Sequence, residues 1–195
     1  MSPEKVAARA AFGELQRSLD SSSLVFVDEA GVNRKMTRLY GRAHRSRRAT
    51  GHAPAAWGKN TTLTGAMTTG GLLVLARRVG GGTTKVSFSA FVRDELCPVL
   101  RPGQTVLLDN LSAHHATEVR ELVEAAGCRL LHVPPYSPDF NPIEKAWSKL
   151  KAALRQTGAR TPEALDAAIV EAAKTITASD AANWVRGAGY VPGLT

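Results

Sequence analysis

Two short apolar runs of the chain each end in an aspartate: Leu24-Val25-Phe26-Val27-Asp28 and Thr105-Val106-Leu107-Leu108-Asp109. Continuous apolar runs of this length are typical of strands that are buried on both faces of a sheet. In an open α/β sheet, ligands bind in the crevice outside the carboxyl ends of the strands. If these two strands are adjacent and parallel, Asp28 and Asp109 project into the same crevice.

The rest of the chain predicts further strands and helices around these two runs. Residues 60–69 and 72–79 predict a hairpin that turns at Gly70-Gly71, and residues 128–133 predict a third buried strand. Helices are predicted at 4–19, 86–100 (with Ser87 or Ser89 near its start), 117–126, 143–154 and 181–186, and another opens at Thr161-Pro162. The fold class is therefore α/β, with a mixed central sheet and flanking helices.

A proline-rich segment precedes a third acid. Residues 134–142 read Pro-Pro-Tyr-Ser-Pro-Asp-Phe-Asn-Pro, and these four prolines exclude a strand or a helix interior. Glu144 follows in the first turn of the next predicted helix. Three carboxylates at one point repel one another unless a cation neutralises them, and few hard oxygen ligands suit Mg²⁺. The pattern predicts phosphoryl transfer with two ions ~3.5–4 Å apart, held by Asp28, Asp109 and Glu144.

The positive charge is concentrated in one segment, residues 30–93, which we call the basic block. The net charge is +8, and the basic block holds twelve of the 25 Lys and Arg residues but no Asp or Glu. The basic block could be a solvated face with no partner, but the free energy gained from counterion release favours binding to a polyanion. Because the block makes no basic amphipathic helix, nucleic acid is favoured over a membrane as that polyanion. The predicted DNA-binding residues are Arg34, Lys35, Arg38, Arg42, Arg45, Arg47 and Arg48.

Each acid also has an ordinary structural interpretation. Asp109 is typical of a turn, and Glu144 is favoured by the helix dipole in a first turn. Glu29 follows Asp28 directly, so its side chain should face the opposite side of the strand. Asp139 is predicted to fix a turn in the proline-rich segment. The coincidence of three acids with an acid-free basic block favours the catalytic interpretation.

Composition is that of an ordinary globular protein. The chain has 195 residues, of which 44% are hydrophobic and 22% charged, enough for one domain with a buried core. Its apolar runs are too short to span a bilayer, and no secretory signal is readable. Cys97 and Cys128 lack zinc-site spacing, so we expect two buried free thiols in a reducing cytoplasm. We expect an N-terminal helix and linker at 1–20 and a catalytic domain at 21–195.

Three blocks of sequence around these acids resemble those of a known family. They are residues 26–31 (Phe-Val-Asp-Glu-Ala-Gly), 107–114 (Leu-Leu-Asp-Asn-Leu-Ser-Ala-His) and 134–144, which ends Asn-Pro-Ile-Glu; 34 residues separate the second acid from the third. They resemble the bacterial insertion-sequence transposases of the Tc/mariner superfamily, the IS-six-thirty type. The resemblance extends from about residue 8 to Tyr190.

This resemblance implies a ribonuclease-H-like fold and a DDE triad at Asp28, Asp109 and Glu144, acting as catalytic residues and ligands of two Mg²⁺ or Mn²⁺ ions. It implies cut-and-paste movement of a DNA element, usually into TA dinucleotides. Element ends and target DNA are then partners, the chain forms a homodimer on DNA, and it works in the bacterial cytoplasm at the nucleoid. Relatives begin with a helix-turn-helix region, so we expect a separate upstream helix-turn-helix polypeptide as a partner.

Residues beside the triad have two interpretations each. His114 suits a proton shuttle or phosphate contact because histidine titrates near neutral pH, or it is a hydrogen-bonded residue at a helix entry. Trp147 is interpreted as core rather than as a platform for substrate. Lys145, Lys149 and Lys151 either approach phosphates or form a solvated face. The rival functions are a structure-specific nuclease of the same fold and a catalytically silent DNA-binding fragment.

Overall fold

The computed structural model describes residues 2–55, 58–109 and 117–192. Its strands are β1 Leu24–Val32, β2 Thr61–Thr68, β3 Gly71–Val79, β4 Thr105–Leu108 and β5 Arg129–His132. Its α-helices are α1 Pro3–Arg17, α2 Lys85–Phe91, α3 Thr117–Ala125, α4 Ile143–Thr157, α5 Pro162–Lys174 and α6 Ala178–Gly187. The strands form one mixed sheet in the order β3-β2-β1-β4-β5, so the predicted fold class is confirmed.

The sheet combines an antiparallel half with a parallel half. β2 and β3 form the predicted hairpin, and β1 pairs antiparallel with β2. On its other side β1 pairs parallel with β4, through Leu24↔Thr105 to Phe26↔Leu107, and β4 pairs parallel with β5. The two apolar runs are therefore adjacent and parallel, as the first prediction required, and their carboxyl ends lie at the same edge.

The prediction that the first strand ends at Asp28 is wrong. β1 continues through Asp28 to Val32, because β2 keeps pairing with it as far as Val32↔Thr61 after the pairing with β4 has stopped. Beyond Phe26, β2 still satisfies the backbone groups on its own side of β1, and pairing on one side is enough to keep the strand extended. Asp28 and Asp109 each lie two positions beyond the last β1–β4 pair.

Helices cover both faces of the sheet. Phe26 and Leu107 belong to the core cluster that also contains buried residues of α4, α5 and α6. Val27 and Leu108 belong to the opposite cluster, with buried residues of α2 and α3. The alternation of side chains along each strand makes both faces apolar, which explains the continuous apolar runs.

The helix predicted at residues 86–100 is shorter and less regular than expected. α2 begins after Thr84, whose side chain caps it in a reciprocal pair with Ser87, and the segment continues as a π-helical turn (Val92–Leu96) and a 3₁₀ turn (Cys97–Val99). Both thiols are free, as predicted, although Cys97 is only half-buried. Among the described residues, no helix is long and apolar enough to cross a membrane.

Candidate active site

A cavity of about 360 Å³ lies at the carboxyl end of β4, beside Asp28 in the middle of β1. The three predicted acids, Asp28, Asp109 and Glu144, all line it. The remaining lining comes from the end of β5 and the proline-rich segment: Val133, Pro134, Pro135, Tyr136, Ser137, Pro138 and Asn141. The structure thus brings together acids that are far apart in the chain.

Each acid is presented by a different element. Asp28 lies within β1 and is 7% exposed, whereas Asp109 follows the last residue of β4. Glu144 is exposed in the first turn of α4, and its backbone N–H donates to the carbonyl of Asn141 at 3.2 Å. The buried face of α4 packs against the face of the sheet that carries Phe26 and Leu107. Glu144 lines the cavity from the first turn of this helix.

The electrostatics of the site disfavour the ionised form of Asp28 when no cation is bound. Burial, together with the charges of Glu144 and Asp109, raises the pKa of Asp28 to about 7, although a backbone hydrogen bond from Glu29 and the Trp147 indole oppose the shift. Burial disfavours the charged form, and nearby like charges disfavour it further. A cation in the cavity would reverse both effects.

The acids suit a divalent cation chemically, without forming a closed cage. Among the residues that the structure describes, no three His, Cys, Asp or Glu side chains form a preassembled metal cluster. Mg²⁺ does not need one, because it binds through one or two carboxylates and completes its shell with waters and substrate phosphates. The donors here are all carboxylate oxygens, and their mutual repulsion at Asp28 is what a cation relieves.

Trp147 holds the Asp28 carboxylate through a hydrogen bond that sequence analysis missed. The indole Nε1–H of Trp147 donates to Asp28 Oδ2 at 3.1 Å, across 119 positions of the chain. Trp147 is 1% exposed, so its interpretation as core is correct, and the platform interpretation is wrong because the ring does not face the cavity surface. The spacing of three residues from Glu144 was the one signal that both side chains share a helix face.

The proline-rich segment contains a 3₁₀ turn of its own, Pro138–Phe140, and is also anchored to α1. Asp139, which was expected to fix a turn, lies within this turn, and its carboxylate accepts two hydrogen bonds from Arg9, at 2.9 and 2.7 Å. The neighbouring Phe140 contacts the Phe12 ring at 4.9 Å between centroids, and its carbonyl accepts a hydrogen bond from the Tyr190 hydroxyl at 2.8 Å. Both ends of the chain therefore hold this wall of the cavity.

The predicted DNA-binding residues lie in the connector between β1 and β2, residues 33–60. Arg34 and Lys35 are half-buried, and Arg38, Arg42, Arg45, Arg47 and Arg48 are exposed. The described part of this connector forms neither helix nor strand. Arg160 fastens it to the end of α4 by donating to the carbonyls of Arg34 and Met36, both at 2.9 Å.

A second, more open cavity of about 680 Å³ lies between this connector and the end of α4. Arg38, Arg42 and His52 line it from the connector. Arg155 and Arg160 line it from the other half of the chain, and sequence analysis missed them because they lie outside the basic block.

The structure describes all but one of the remaining candidate residues near the triad. His114 lies outside the described residues. Lys149 donates to Asp180 at 2.6 Å, so its charge is already matched by a protein carboxylate. Lys145 is exposed and Lys151 half-buried, and Glu29 is half-buried in β1 opposite Thr64.

Comparison with known proteins identifies both the fold and the family. Residues 23–166 match a family model described as DDE superfamily endonuclease. The Mos1 transposase paired-end complex with left transposon end is similar in structure, with a TM-score of 0.75 at 18% identity, over 95% of this chain and 59% of that chain. The Mos1 strand transfer complex has a TM-score of 0.75 at 20% identity, over 95% and 59% of the two chains.

A structure of the Mos1 transposase catalytic domain with Raltegravir and Mg has a TM-score of 0.68 at 16% identity. The match covers 95% of this chain and 90% of that chain. No curated protein is significantly similar to the chain in sequence. The chain spans 59% of the Mos1 chain in the paired-end complex. The structural likeness shows the ribonuclease-H-like fold that the resemblance implied. Because the family model covers most of its length, this chain belongs to the DDE superfamily of endonucleases.

Proposed function

We propose that this chain is the catalytic domain of a DNA transposase, which cleaves DNA strands and transfers them with divalent metal ions bound by Asp28, Asp109 and Glu144. The observation that carries the proposal is the shared cavity of these three acids. They come from β1, from the end of β4 and from α4, and they meet where ligands bind in open α/β sheets.

The chain's own residues would fix the geometry of the reaction. When bound, two Mg²⁺ or Mn²⁺ ions supply the neutralising charge and activate the attacking water or hydroxyl. Asp28 is buried and held by Trp147, so its carboxylate is a rigid ligand. Glu144 is exposed at the mouth of the cavity, where a DNA phosphate approaches. The proline-rich segment limits access from the side of β5.

Related structures support the metal and the nucleic acid. Mos1 paired-end complexes have been solved with Mn and with Mg, and one of them contains the left transposon end. We extend divalent-metal use and DNA binding to this chain on that basis. The carboxylate donors of the cavity and the acid-free basic block are the features of this chain that agree with the extension.

The proposed assembly has two parts. Pairing of two element ends requires two active sites, so we propose a homodimer that forms on DNA. Because this chain spans 59% of the Mos1 chain, we propose that recognition of the ends comes from a helix-turn-helix polypeptide upstream. The exposed arginines of the connector, together with Arg155 and Arg160, would contact phosphates and position the duplex.

The test is metal-dependent cleavage of duplex DNA carrying the sequences that flank the gene. Asp28→Asn, Asp109→Asn and Glu144→Gln keep side-chain volume and remove charge, and each should lower cleavage by at least about 100-fold because charge at the transferred phosphoryl group is no longer neutralised. Glu29→Gln, the neighbouring acid of β1, should retain substantial activity.

Each rival function predicts a different result. Preferential cleavage of branched DNA or RNA–DNA hybrids would identify a structure-specific nuclease of the same fold. DNA binding without cleavage, in Mg²⁺ and in Mn²⁺, would identify a silent DNA-binding fragment. Wild-type rates in a purified triad variant would show that the site assignment is wrong.

A further inference from the structure

The protein fixes the direction in which the Asp28 carboxylate can face a metal ion. A carboxylate has two oxygens, and Asp28 Oδ2 already accepts the Trp147 indole N–H at 3.1 Å. Both side chains are buried, at 7% and 1% exposure, so water does not compete for this bond. An indole has one N–H and no acceptor, so the contact fixes the orientation of the carboxylate.

The same helix presents Glu144 and holds Asp28. Trp147 lies three residues after Glu144 on α4, so both side chains point from one face of that helix. The position of α4 on the sheet therefore sets the position of one acid directly and the orientation of another through the indole. An error in docking α4 would misplace both ligands together.

Gly65 provides the seat for the indole ring. Gly65 pairs with Asp28 across β1 and β2. A Cβ at Gly65 would lie 2.7 Å from Trp147 Cη2 and 3.2 Å from the Val74 carbonyl oxygen. The first distance is shorter than real Cβ contacts, and the buried ring has no free direction in which to move. Glycine is required here for space, beside the aspartate that the ring holds.

We propose that Trp147 is a positioning residue whose indole N–H binds Asp28 Oδ2 and fixes the orientation of this carboxylate toward a metal ion, with Gly65 as the seat that sets the depth of the ring. This inference rests on the proposed function, because it assumes that Asp28 is a metal ligand. Partners of metal ligands orient the ligand and raise its affinity, and their loss typically weakens metal binding by about 10–100-fold. The alternative is that the bond merely satisfies a buried N–H.

The first test is Mn²⁺ binding to the DNA-free protein, measured by calorimetry. Trp147→Phe keeps most of the ring and removes the N–H, and should weaken Mn²⁺ binding by about tenfold. Trp184→Phe is the matched control, because Trp184 packs against the same core but does not line the cavity of the three acids. This variant should bind Mn²⁺ as the wild type does. Melting curves of both variants show whether the fold is kept. A folded Trp147→Phe variant with wild-type affinity would overturn the proposal.

A second variant, at Gly65, tests the packing of the Trp147 ring separately from its N–H. Gly65→Ala keeps the indole N–H but displaces the ring, so Mn²⁺ binding should weaken in the same direction as in Trp147→Phe. The double variant should be no weaker than Trp147→Phe alone, since both changes break the same hydrogen bond. Fully additive effects on affinity would show that Gly65 acts independently of Trp147.

The wild-type protein provides a test that needs no variant at Trp147 or Gly65. The chain has three tryptophans, so Trp57→Phe and Trp184→Phe assign two of the indole signals and leave the third to Trp147. In ¹H–¹⁵N spectra, the Trp147 indole signal should shift when Mg²⁺ is added, whereas the Trp184 signal should not. An unshifted Trp147 signal at Mg²⁺ concentrations that saturate calorimetric binding would overturn the proposal. If the wild type binds neither ion, or if Asp28→Asn binds as tightly as the wild type, the proposed function itself fails.

Discussion

Arg9 and Asp139 form a two-point ion pair between α1 and the proline-rich segment. Arg9 Nη1 and Nη2 donate to Asp139 Oδ1 and Oδ2 at 2.9 and 2.7 Å, across 130 positions of the chain. The Arg9 guanidinium also lies 5.0 Å from the centroid of the Phe140 ring. Paired hydrogen bonds of this kind fix geometry as well as charge, so α1 helps to set the position of the wall that faces Asp28.

We expect Arg9→Ala or Asp139→Ala to lower strand cleavage several-fold while changing the free energy of unfolding little, because the pair is partly exposed and solvent screens it. The reversed pair, Arg9→Asp with Asp139→Arg, should recover part of the lost activity. Reversing Arg17–Glu14, an exposed pair on α1 itself, is the control and should change neither quantity. Wild-type cleavage by Arg9→Ala would show that the anchor is irrelevant to the reaction.

The raised pKa of Asp28, about 7 in the fold, predicts a pH-dependent cost of burying its charge. The pKa of Asp28 is higher in the folded state than in the unfolded state, so the protonated carboxyl stabilises the fold fully below about pH 4. This stabilisation is lost as the pH rises through about 7. At 1.36 kcal/mol per pKa unit, the loss is on the order of 4 kcal/mol. Urea unfolding in EDTA should show Asp28→Asn more stable than the wild type at pH 8 but not at pH 4.

Addition of Mg²⁺ at pH 8 should remove that difference by stabilising the wild type alone, since the ion binds the ionised carboxylate. A stability difference between the two proteins that stays constant from pH 4 to pH 8 would contradict the assignment of the raised pKa to Asp28.

The exposed arginines of the connector predict a strong salt dependence of DNA binding. Log affinity should fall with log salt with a slope of about −0.9 for each phosphate neutralised on duplex DNA. Replacing Arg45, Arg47 and Arg48 together by Ala should flatten that slope by about 0.9 for each phosphate that is no longer neutralised. The matched control is the same reduction of charge on helices outside the connector, at Arg17, Arg120 and Arg186, which should leave the slope unchanged. A connector variant with the wild-type slope would place the DNA on another face.

Sequence selectivity of the isolated chain should be weak. Base readout in the major groove needs a helix or ribbon dedicated to it, and each helix and strand that the structure describes already builds the sheet or covers it. In competition gel shifts at fixed salt, we expect element ends to be preferred over scrambled duplex by less than about tenfold (~1.4 kcal/mol). In-frame fusion of the helix-turn-helix polypeptide that we propose as a partner should restore selective binding. A hundredfold preference by the chain alone would reveal a base-reading segment within it.

The sequence by itself determined the elements whose signals are local. The apolar runs before Asp28 and Asp109 predicted two buried strands, and Gly70-Gly71 predicted the hairpin. The structure then showed that these two strands are adjacent and parallel. Thr161-Pro162 predicted the start of α5, and Thr161 does cap it. Periodicity, capping and turn chemistry depend on residues a few positions apart, so they can be recognised without a structure.

Only the tertiary structure decided how the predicted parts support one another. β1 runs past Asp28 because β2 pairs with it there, and Trp147 holds Asp28 because Gly65 leaves room for its ring. Asp139 lies in a local 3₁₀ turn, and Arg9 anchors that turn to α1. These contacts join residues that are distant in the chain, and a contact that forms only after the sheet and helices have packed leaves no periodic pattern in either of the segments that make it.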